Sequence, residues 1–496
     1  MNLATNLLTT ESRHPDRVAL IAEGLQLTYA EFLARVRDTA AFLDAKGIVA
    51  GDRVGLMLPN VPAFAILYHA ALLRGCTVVP MNPLLSGREV TYYLSDSGAR
   101  LLFAATICAD PAEAGAEQAG TECLIVGPNG PDVPPGQAEL VERADDDTAI
   151  ILYTSGTTGQ PKGAELTHHN MLSNARVSAE TLLYSTEGDV IMGCLPLVHV
   201  FGLTCGLNAA VYTGSALALL PRFQGAAALE LIARERVTIF EGVPTMYSDL
   251  LHAPNATDHD TSTLRVCISG GAAMPVEVLT AFERAFGTMV LEGYGLSETS
   301  PVVSFNHPNA ERKLGSIGQP IDGVQVRIVD KDGAEVATGE VGELAVAGEN
   351  VMKGYWGRPE ATAEAIPDGW LRTGDLGRAD EDGYLYIVDR KKQLIIRGGY
   401  NVYPREVEEV FYAHPAVAEV AVIGLTHSRL GEEVAAAVVL APNQQVSAAE
   451  LREFGKQRLA AYKYPRHVWT TEALPKGPTG KILHREVVPP ADVVVE

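Results

Sequence analysis

The sequence predicts an α/β fold: a large N-terminal domain of layered α/β subdomains plus a β subdomain, followed by a small α+β C-terminal domain. Three observations predict it. The 496 residues exceed what one hydrophobic core usually supports. Short β-branched runs alternate with helical patterns, and this spacing changes in the last third of the chain. With 47% hydrophobic and 20% charged residues, the chain can bury a sizeable core.

In the N-terminal part, apolar strand runs lead through turn residues into helical patterns. GDRVGLMLPN at 51–60 precedes VPAFAILYHAALLRG, VTIFEGVP at 237–244 precedes TMYSDLL, and LRVCISGGAAMP at 264–275 precedes VEVLTAFERAFG. This alternation predicts parallel strands layered with helices. Ligand sites in such folds lie in the loops at the carboxyl ends of the strands, where the glycine-bearing motifs fall.

Two later segments follow a different pattern. Residues 326–348 (VRIVDKDGAEVATGEVGELAVAG) resemble short strands joined by Asp-Gly and Gly turns, which predicts a β subdomain. From residue 407, VEEVFYAHPAVAEVAVIG and then EEVAAAVVLAP predict a compact α+β unit. We therefore expect domains at residues 1–388 and 389–496, with the boundary at Asp389.

The formal net charge of -22 argues against a general nucleic-acid binder, because no basic surface would neutralise phosphates on that scale. The charge is unevenly placed. Residues 390–496 carry 14 Lys and Arg against 12 Asp and Glu, which leaves 25 against 49 for residues 1–389. This asymmetry predicts that the C-terminal unit meets anions.

Composition also predicts a cytoplasmic protein. The sequence has no run of about 18 apolar residues, and MNLATNLLTTESRHPDR lacks the basic start and apolar middle of a secretion signal. The cysteines have no metal-ligand spacing, which predicts buried reduced thiols. They are Cys76, Cys108, Cys123, Cys194, Cys205 and Cys267.

The stretch YTSGTTGQPKG at 153–163 follows an apolar strand run and is rich in glycine and hydroxyl side chains. Glycine lets backbone N–H groups crowd around an anion, hydroxyls add donors, and Lys162 supplies charge. Together these features suit a polyphosphate. The stretch is not a Walker loop, because Lys162 precedes Gly163 and is not followed by Ser or Thr.

This loop resembles the phosphate-loop signature of the adenylate-forming superfamily: acyl- and aryl-CoA synthetases, peptide-synthetase adenylation domains and firefly luciferase. The further stretches that match in the family's order, over nearly the whole chain, are EGYGLSET at 292–299, WLRTGDLG at 370–377, YIVDRKKQLIIRGGYNVYPREVE at 386–408 and PKGPTGKI at 475–482. The resemblance implies an acyl-CoA synthetase that uses ATP, Mg²⁺ and CoA. A carboxylate would attack the α-phosphate of ATP, giving an acyl-adenylate and pyrophosphate, and a thiol would then expel AMP.

The resemblance implies a role for each polar group of these motifs. Lys162 and the loop hydroxyls would hold the β- and γ-phosphates. Tyr294 would stack on adenine, with the backbone of residues 271–273 against the same base, and Asp375 would accept hydrogen bonds from both ribose hydroxyls beside Arg390. The full ATP-binding set is Thr154, Ser155, Gly156, Thr157, Thr158, Lys162, Gly271, Ala272, Ala273, Glu292, Gly293, Tyr294, Gly295, Asp375, Ile387, Arg390 and Asn401.

Four residues are implied to act on the reacting groups. Ser297 would lie on the α-phosphate, and Glu298 would hold Mg²⁺, which prefers oxygen ligands. Lys481 would bridge the substrate carboxylate and the α-phosphate during adenylation. His199 resembles the family histidine near the carboxylate, although a lone His in an apolar run also suits a packed core position.

The two steps of this reaction need different partners at one centre. The resemblance implies that the small domain turns about Asp389 between the steps. Lys481 would then be replaced by the loop of Gly398, Gly399 and Tyr400, which would line a tunnel for the thiol. Glycine there leaves room for a thin pantetheine arm.

The predicted acid pocket is apolar. Its candidate segments, 197–211, 241–247 and 300–305, offer no obvious counterpart of the Asp that pairs an amino group in peptide-synthetase domains, so a hydrocarbon chain or ring is expected. Gly202 and Gly293 are expected to leave a deep slot, which favours an extended chain. The predicted lining residues are His199, Val200, Phe201, Gly202, Val243, Gly271, Gly293 and Val302.

A medium- or long-chain fatty acid is the first expectation, with acyl-CoA, AMP and pyrophosphate as products. Aryl-CoA ligases of the 4-coumarate type share these motifs, and some relatives load an acyl-carrier protein instead of CoA, so both alternatives stay open. The non-enzyme alternative is a catalytically silent sensor of acyl-adenylate. The motifs contain more polar groups than simple binding would need, which favours an enzyme. A membrane-surface scaffold is disfavoured by the acidic N-terminal region. Peripheral membrane contact stays open, as does the choice between monomer and homodimer.

Overall fold

Strands and helices alternate in the computed structural model, which describes residues 1–154, 160–254, 256–477, 480–491 and 493. Within these residues the strands are β1 (Val18–Ala22), β2 (Leu25–Thr28), β3 (Arg53–Met57), β4 (Thr77–Pro80), β5 (Leu101–Ala105), β6 (Glu122–Val126), β7 (Thr148–Thr154), β8 (Lys162–Thr167), β9 (Val190–Gly193), β10 (Ala216–Leu219), β11 (Ile239–Gly242), β12 (Val266–Ser269), β13 (Val290–Gly295), β14 (Val302–Phe305), β15 (Gln319–Pro320), β16 (Val324–Val329), β17 (Gly342–Gly348), β18 (Gly354–Tyr355), β19 (Leu371–Ala379), β20 (Leu385–Arg390), β21 (Ile395–Arg397), β22 (Tyr400–Val402), β23 (Val417–His427), β24 (Gly431–Leu440) and β25 (His467–Thr470). The helices are α1 (Thr5–Arg13), α2 (Tyr29–Ala45), α3 (Pro62–Leu73), α4 (Gly87–Ser97), α5 (Ala109–Ala119), α6 (His168–Val177), α7 (Ala209–Thr213), α8 (Gly225–Glu235), α9 (Pro244–Leu251), α10 (Val276–Phe286), α11 (Pro359–Ala365), α12 (Pro404–Tyr412) and α13 (Ala448–Arg458).

Two large sheets form the N-terminal domain. One runs in the order β15-β14-β13-β12-β11-β9-β10-β1-β2 and the other in the order β18-β8-β7-β4-β3-β5-β6. Most neighbouring strands in both are parallel. The three predicted strand-helix pairs form β3 with α3, β11 with α9, and β12 with α10. The predicted alternation is therefore confirmed.

Helix α3 joins the two sheets. Its sequence PAFAILYHAALL is apolar on nearly every side, and all 12 residues are buried. A helix of this kind is typical of a position between layers. It contacts β1 of the nine-stranded sheet, and β3 and β4 of the seven-stranded sheet. Pro62 begins the helix, where its missing N–H costs no intrahelical hydrogen bond.

The two later segments fold as predicted. The sheet β16-β17-β19-β20 is antiparallel and forms the β subdomain. Strands β21 to β25 form a separate sheet with α12 and α13, and this unit has its own apolar core around Phe411, Val420 and Val434. Asp389 lies in β20, whose backbone pairs with β19. The domain boundary at Asp389 stays a prediction.

The carboxyl ends of three parallel strands define one edge of the nine-stranded sheet. Gly242 at the end of β11 is in register with Ser269 of β12, which is in register with Glu292 of β13. The C-terminal unit closes over this edge. A Cβ atom at Gly480 would lie only 2.8 Å from Oγ1 of Thr245, in the first turn of α9, which follows β11. The segment that follows β11 therefore meets the small domain.

All six cysteines are free, five of them buried and Cys123 half-buried. The five buried thiols pack as small apolar groups. Within the described ranges, no helix has both the length and the apolar character needed to cross a bilayer.

Candidate active site

Two cavities adjoin at this edge of the sheet. The interdomain cavity, of about 220 Å³, lies between the loops of the large domain and the C-terminal unit. The apolar cavity, of about 200 Å³, lies within the large domain. Residues that line both are Val243, Gly271, Gly293, Tyr294 and Gly295. The cavities therefore meet at the end of β13.

The structure brings most of the predicted ATP-binding residues together around the interdomain cavity. Those that line it are Gly271, Ala272, Ala273, Glu292, Gly293, Tyr294, Gly295, Asp375, Ile387 and Arg390, together with Lys481. Their elements are far apart in sequence: β13, β19, β20 and the C-terminal segment. Four of the five family motifs therefore converge on one space, together with the stretch 271–273.

Asp375 is one of three buried carboxyl residues that line this cavity, with Glu292 and Asp389, and 3% of its surface is exposed. Its Oδ2 accepts a hydrogen bond from the Tyr294 hydroxyl at 2.6 Å, and its Oδ1 lies 3.0 Å from Nε of Arg390. The register of β19 and β20 places Asp375 directly opposite Arg390. Each carboxylate oxygen can accept a second hydrogen bond, so Asp375 fits the predicted contact with ribose hydroxyls.

Lys481 brings a cation to the same cavity from the C-terminal segment. Loss of hydration lowers the pKa of its ammonium group to about 8, with a smaller contribution from repulsion by Arg390 and opposition from Asp375. A weakly hydrated ammonium group gains more from an incoming carboxylate or phosphate than an exposed one does.

The phosphate loop connects β7 and β8, which pair antiparallel with Thr154 opposite Lys162. The predicted loop residues Ser155, Gly156, Thr157 and Thr158 lie outside the described residues. Nζ of Lys162 lies 5.1 Å from the centre of the Tyr355 ring, and the Tyr355 hydroxyl donates to Oε1 of Glu298 at 2.9 Å. One tyrosine therefore joins the predicted phosphate lysine to the predicted metal carboxylate.

Glu298 lies in a short turn, Ser297–Thr299, that follows β13. Its backbone carbonyl accepts a hydrogen bond from the Met352 N–H at 2.8 Å, and its Oε2 accepts none from the described residues. A carboxylate beside the phosphate lysine fits Mg²⁺, which takes most of its ligands from phosphates and water. The ion would neutralise phosphate charge there.

Tyr355 is a residue that the sequence argument missed. It lies in β18, which pairs with β8 next to Lys162. This pairing joins segments nearly 200 residues apart, so local patterns gave no signal for it. The neighbouring Trp356 N–H donates to the Gly163 carbonyl at 2.8 Å, which holds the segment against the base of the loop.

The predicted thiol-tunnel residues lie elsewhere. Gly398, Gly399 and Tyr400 form the turn between β21 and β22, with Asn401 beside them, and none of the four lines either cavity. Tyr400 is 60% exposed. In this arrangement of the domains, Lys481 faces the interdomain cavity and the turn does not.

All eight predicted acid-pocket residues line the apolar cavity, and Ser297 lines it too. His199 is among them, although its Nε2 has no hydrogen-bond partner within the described part of the chain. Burial lowers the pKa of His199 to about 4, so the ring is neutral at pH 7. It can therefore act at the cavity only as an uncharged donor or acceptor.

The expectation that Gly202 and Gly293 leave a deep slot is wrong. A Cβ atom at Gly202 would lie 2.7 Å from the carbonyl oxygen of Leu195, and one at Gly293 would lie 2.6 Å from the Phe305 ring. The space freed by both glycines is taken by protein atoms. The two glycines therefore give no reason to expect an extended acyl chain.

Other cavity-lining residues that the sequence analysis did not name come from the small domain. Arg405 and His484 line the interdomain cavity. Nη1 of Arg405 donates to the Ile387 carbonyl at 2.7 Å, and its backbone N–H donates to Oδ2 of Asp389 at 3.2 Å. Nε2 of His484 lies 2.7 Å from Oε1 of Glu408. The net positive charge of residues 390–496 was the signal in the sequence that this domain meets anions.

The family model described as "AMP-binding enzyme" matches residues 8–356, and the model described as "AMP-binding enzyme C-terminal domain" matches residues 406–481. The chain belongs to the AMP-binding enzyme family. A long-chain-fatty-acid–CoA ligase of Bacillus subtilis is 38% identical, over 98% of this chain and 94% of that protein. A feruloyl-CoA synthase of an Amycolatopsis species is 39% identical, over 95% and 96%. The ATP-bound crystal structure of MatB from Rhodopseudomonas palustris is 34% identical with a TM-score of 0.91, over 97% of each chain.

Family membership confirms the reaction type that the motifs implied. The chain is an AMP-forming acid-thiol ligase of the acyl-CoA synthetase type, which uses ATP, Mg²⁺ and CoA. The roles of its individual residues stay predictions. Most of these residues line one of the two cavities.

Proposed function

We propose that this enzyme adenylates an apolar carboxylic acid where the two cavities meet, and then transfers the acyl group to CoA. One observation carries the proposal. Lys481 and the Asp375–Arg390 pair line the interdomain cavity, which adjoins the apolar cavity at Gly293 to Gly295. ATP and an apolar acid would thus meet at a single point.

In the first step, adenylation, each residue near this point would bind a different part of ATP or of the acid. ATP would lie with its ribose on Asp375, its adenine near Tyr294 and its β- and γ-phosphates near Lys162. The acid would lie in the apolar cavity with its carboxylate directed at the α-phosphate. Lys481 would hold the two anions together and stabilise the charge that builds up as the P–O bond to pyrophosphate breaks.

The second step would need a different arrangement of the small domain. CoA must reach the acyl carbonyl from the side that Lys481 occupies here. The turn of Gly398, Gly399 and Tyr400 lies on the same small domain and is free of both cavities. Rotation about Asp389 would exchange Lys481 for this turn, and thiol attack would then release AMP.

An aryl acid suits the apolar cavity better than an extended chain. Backbone and the Phe305 ring fill the space at Gly202 and Gly293, and Phe201 closes the wall at Gly270, where a Cβ atom would lie 2.9 Å from the ring. The feruloyl-CoA synthase relative acts, by its name, on an acid of this class. A medium- or long-chain fatty acid is the second candidate, favoured by the name of the Bacillus relative.

A panel of acids tests the proposal. Alkanoates from acetate to palmitate, benzoates and cinnamates would each be tested with ATP and Mg²⁺, with either CoA or a holo acyl-carrier protein, while pyrophosphate and thioester are measured. We expect pyrophosphate release with aryl acids and thioester only with CoA. Release confined to long alkanoates would refute the aryl assignment, transfer only to the carrier protein would refute CoA, and no release with any acid would favour a sensor.

A further inference from the structure

Asp96 lies at the base of the phosphate loop, near the C-terminal end of α4. Its Oδ2 accepts a hydrogen bond from the Tyr153 hydroxyl at 2.7 Å, and its Oδ1 accepts one from Nη2 of Arg358 at 2.6 Å. Its backbone carbonyl accepts a third, from Nε1 of Trp356 at 3.2 Å. Asp96 therefore joins three segments that are far apart in sequence.

Helix α4 holds the chain on both sides of the phosphate loop. Tyr153 lies in β7, the strand before the loop, and its ring stacks on the ring of Tyr93 with the centroids 4.3 Å apart. After the loop, the Pro161 carbonyl accepts a hydrogen bond from the Tyr92 hydroxyl at 2.7 Å. The helix therefore fixes the strand that enters the loop and the residue that precedes Lys162.

The third segment carries Tyr355, whose ring centre lies 5.1 Å from Nζ of Lys162. The backbone N–H of Arg358 donates to the Tyr355 carbonyl at 3.0 Å, so residues 355–358 form a turn. Both Trp356 and Arg358 in this turn donate to Asp96. Asp96 therefore reaches Lys162 by a second route, through the tyrosine beside it.

The two side-chain bonds to Asp96 differ in strength. The Arg358 side chain is 46% exposed, so its ion pair with Asp96 alone contributes little. The bond from Tyr153 is better shielded, because the Asp96 side chain is only 13% exposed. Burial, and after it the hydrogen bond to Asp96, raises the pKa of the Tyr153 hydroxyl, which therefore stays a donor at neutral pH. Hydrogen bonds to a charged acceptor are about twice as strong as neutral ones.

We propose that Asp96 is a positioning residue for the β- and γ-phosphates of ATP, and that it acts on Lys162 through Tyr153 and Tyr355. The inference rests on the proposed function, in which Lys162 lies near these phosphates. Asp96 lines neither cavity, so its effect must pass through other residues. A displaced ammonium group attracts phosphate less, because the attraction falls with distance. Binding of adenine, ribose and the α-phosphate should not change.

The test compares ATP with AMP, which lacks the β- and γ-phosphates but shares the rest of the nucleotide. Calorimetric titration of the full-length enzyme, with Mg²⁺ and no acid, would give the dissociation constant of each. We expect Asp96→Asn to weaken ATP binding about tenfold, because the charged acceptor of two hydrogen bonds is lost. AMP binding should change less than about twofold. Arg358→Gln should weaken ATP binding in the same way but by less.

The KM for pyrophosphate, measured by its exchange into ATP, gives a second readout. Pyrophosphate occupies the place of the β- and γ-phosphates, so its KM should rise in Asp96→Asn by a factor similar to that for ATP. In a Lys162→Ala background, Asp96→Asn should weaken ATP binding less than it does in the wild type, because the residue through which it acts is gone.

Asp189→Asn is the matched control. Asp189 is also a carboxylate paired with an arginine, Arg265, at 2.8 Å, but it directly precedes β9, at the end of that strand away from the cavities. Its loss should lower stability and leave the ratio of ATP to AMP affinity unchanged.

Equal losses of ATP and AMP affinity in a folded Asp96→Asn, or an unchanged affinity for ATP, would overturn the positioning role. If Asp96→Asn fails to fold, the exposed Arg358→Gln decides, and an unchanged ratio in that variant would overturn the role. Effects of Asp96→Asn and Lys162→Ala that add in full would show that Asp96 does not act through Lys162. All of these outcomes leave wild-type adenylation intact, whereas a wild-type enzyme that releases no pyrophosphate with any acid refutes the proposed function itself.

Discussion

Lys481 should make the first step sensitive to alkaline pH. Its ammonium group must be protonated to hold two anions, and loss of hydration lowers its pKa to about 8, well below the usual value for lysine. Adenylation should therefore fall as pH rises through about 8. The acid-dependent exchange of labelled pyrophosphate into ATP, measured from pH 6 to pH 10, checks this.

The control for Lys481 is the second half-reaction, in which supplied acyl-adenylate reacts with CoA. That step should show no fall near pH 8, because Lys481 is not needed for it. Lys481→Arg, whose guanidinium stays protonated, should move the fall in exchange to higher pH. An unmoved fall in that variant would assign the titration to another group.

Tyr355 should act on ATP and not on the acid. Tyr355→Phe removes the 2.9 Å hydrogen bond to Glu298 but keeps the ring beside Lys162. Loss of one such bond to a charged group costs about 1.5–3 kcal/mol, so we expect about a tenfold or larger rise in the KM for Mg-ATP. Steady-state kinetics with both substrates varied would check this. A rise in the KM for the acid alone would contradict it.

At the scale of single residues, the sequence predicted those that lie in contiguous motifs. Roles for Asp375, Tyr294 and Lys481 could be predicted because the motifs that contain them resemble those of a known family, and all three residues line the interdomain cavity. Tyr355 could not be predicted, because its place beside Lys162 comes from the pairing of β18 with β8.

At the scale of elements, Gly202 and Gly206 lie in one π-helical turn but differ in their surroundings. A Cβ atom at Gly202 would meet two backbone carbonyls, at 2.7 and 2.8 Å, whereas one at Gly206 would have no neighbour closer than 3.5 Å. Gly202→Ala should therefore destabilise the fold by about 1–3 kcal/mol, and Gly206→Ala should be nearly neutral.

Thermal unfolding of the two variants checks this difference. Full stability of Gly202→Ala, with fewer acids accepted as substrates, would contradict this prediction, because it would mean that Gly202 faces the substrate. The sequence predicted three strand-helix pairs and two later segments, because the periodicity of such elements is local. It could not predict how a glycine is packed, because that depends on residues 195 and 196 returning against the turn.

At the scale of the whole molecule, three buried carboxyls should contribute stability that is lost as pH rises from about 5 to about 8. Burial raises the pKa of Glu292 and of Glu409 to about 7 and that of Asp389 to about 6. In the unfolded chain these groups lose their protons near pH 4 to 4.5, while the folded protein keeps them longer. Raising the pH through this window therefore disfavours the folded state, by on the order of 2 kcal/mol for each group.

Melting temperatures of the wild-type protein and of Glu292→Gln, both measured from pH 5 to pH 8, test this contribution. Relative to the wild type, the melting temperature of Glu292→Gln should gain as pH rises, because the amide has no proton to lose. Exposed Glu230→Gln is the control and should leave the slope as it is. A slope unaffected by Glu292→Gln would contradict the burial of this carboxyl between the domains.

The sequence predicted the two-domain architecture from its change of spacing and charge, but the relation between the domains depends on contacts between distant segments. Two examples are the hydrogen bond from Arg405 to the Ile387 carbonyl and the close approach of Gly480 to Thr245. Such contacts bring Lys481 to the nucleotide residues in this arrangement. The rotation that would bring the turn of Gly398 to the same place stays a prediction.

The most direct measurement is isotope exchange between pyrophosphate and ATP, with Mg²⁺ and an apolar acid but no CoA. It reports formation of the acyl-adenylate alone. We predict exchange that depends on the acid, is strong in the wild-type enzyme and is lost in Lys481→Ala. Exchange that is absent with every acid, or that proceeds equally without one, would contradict the account.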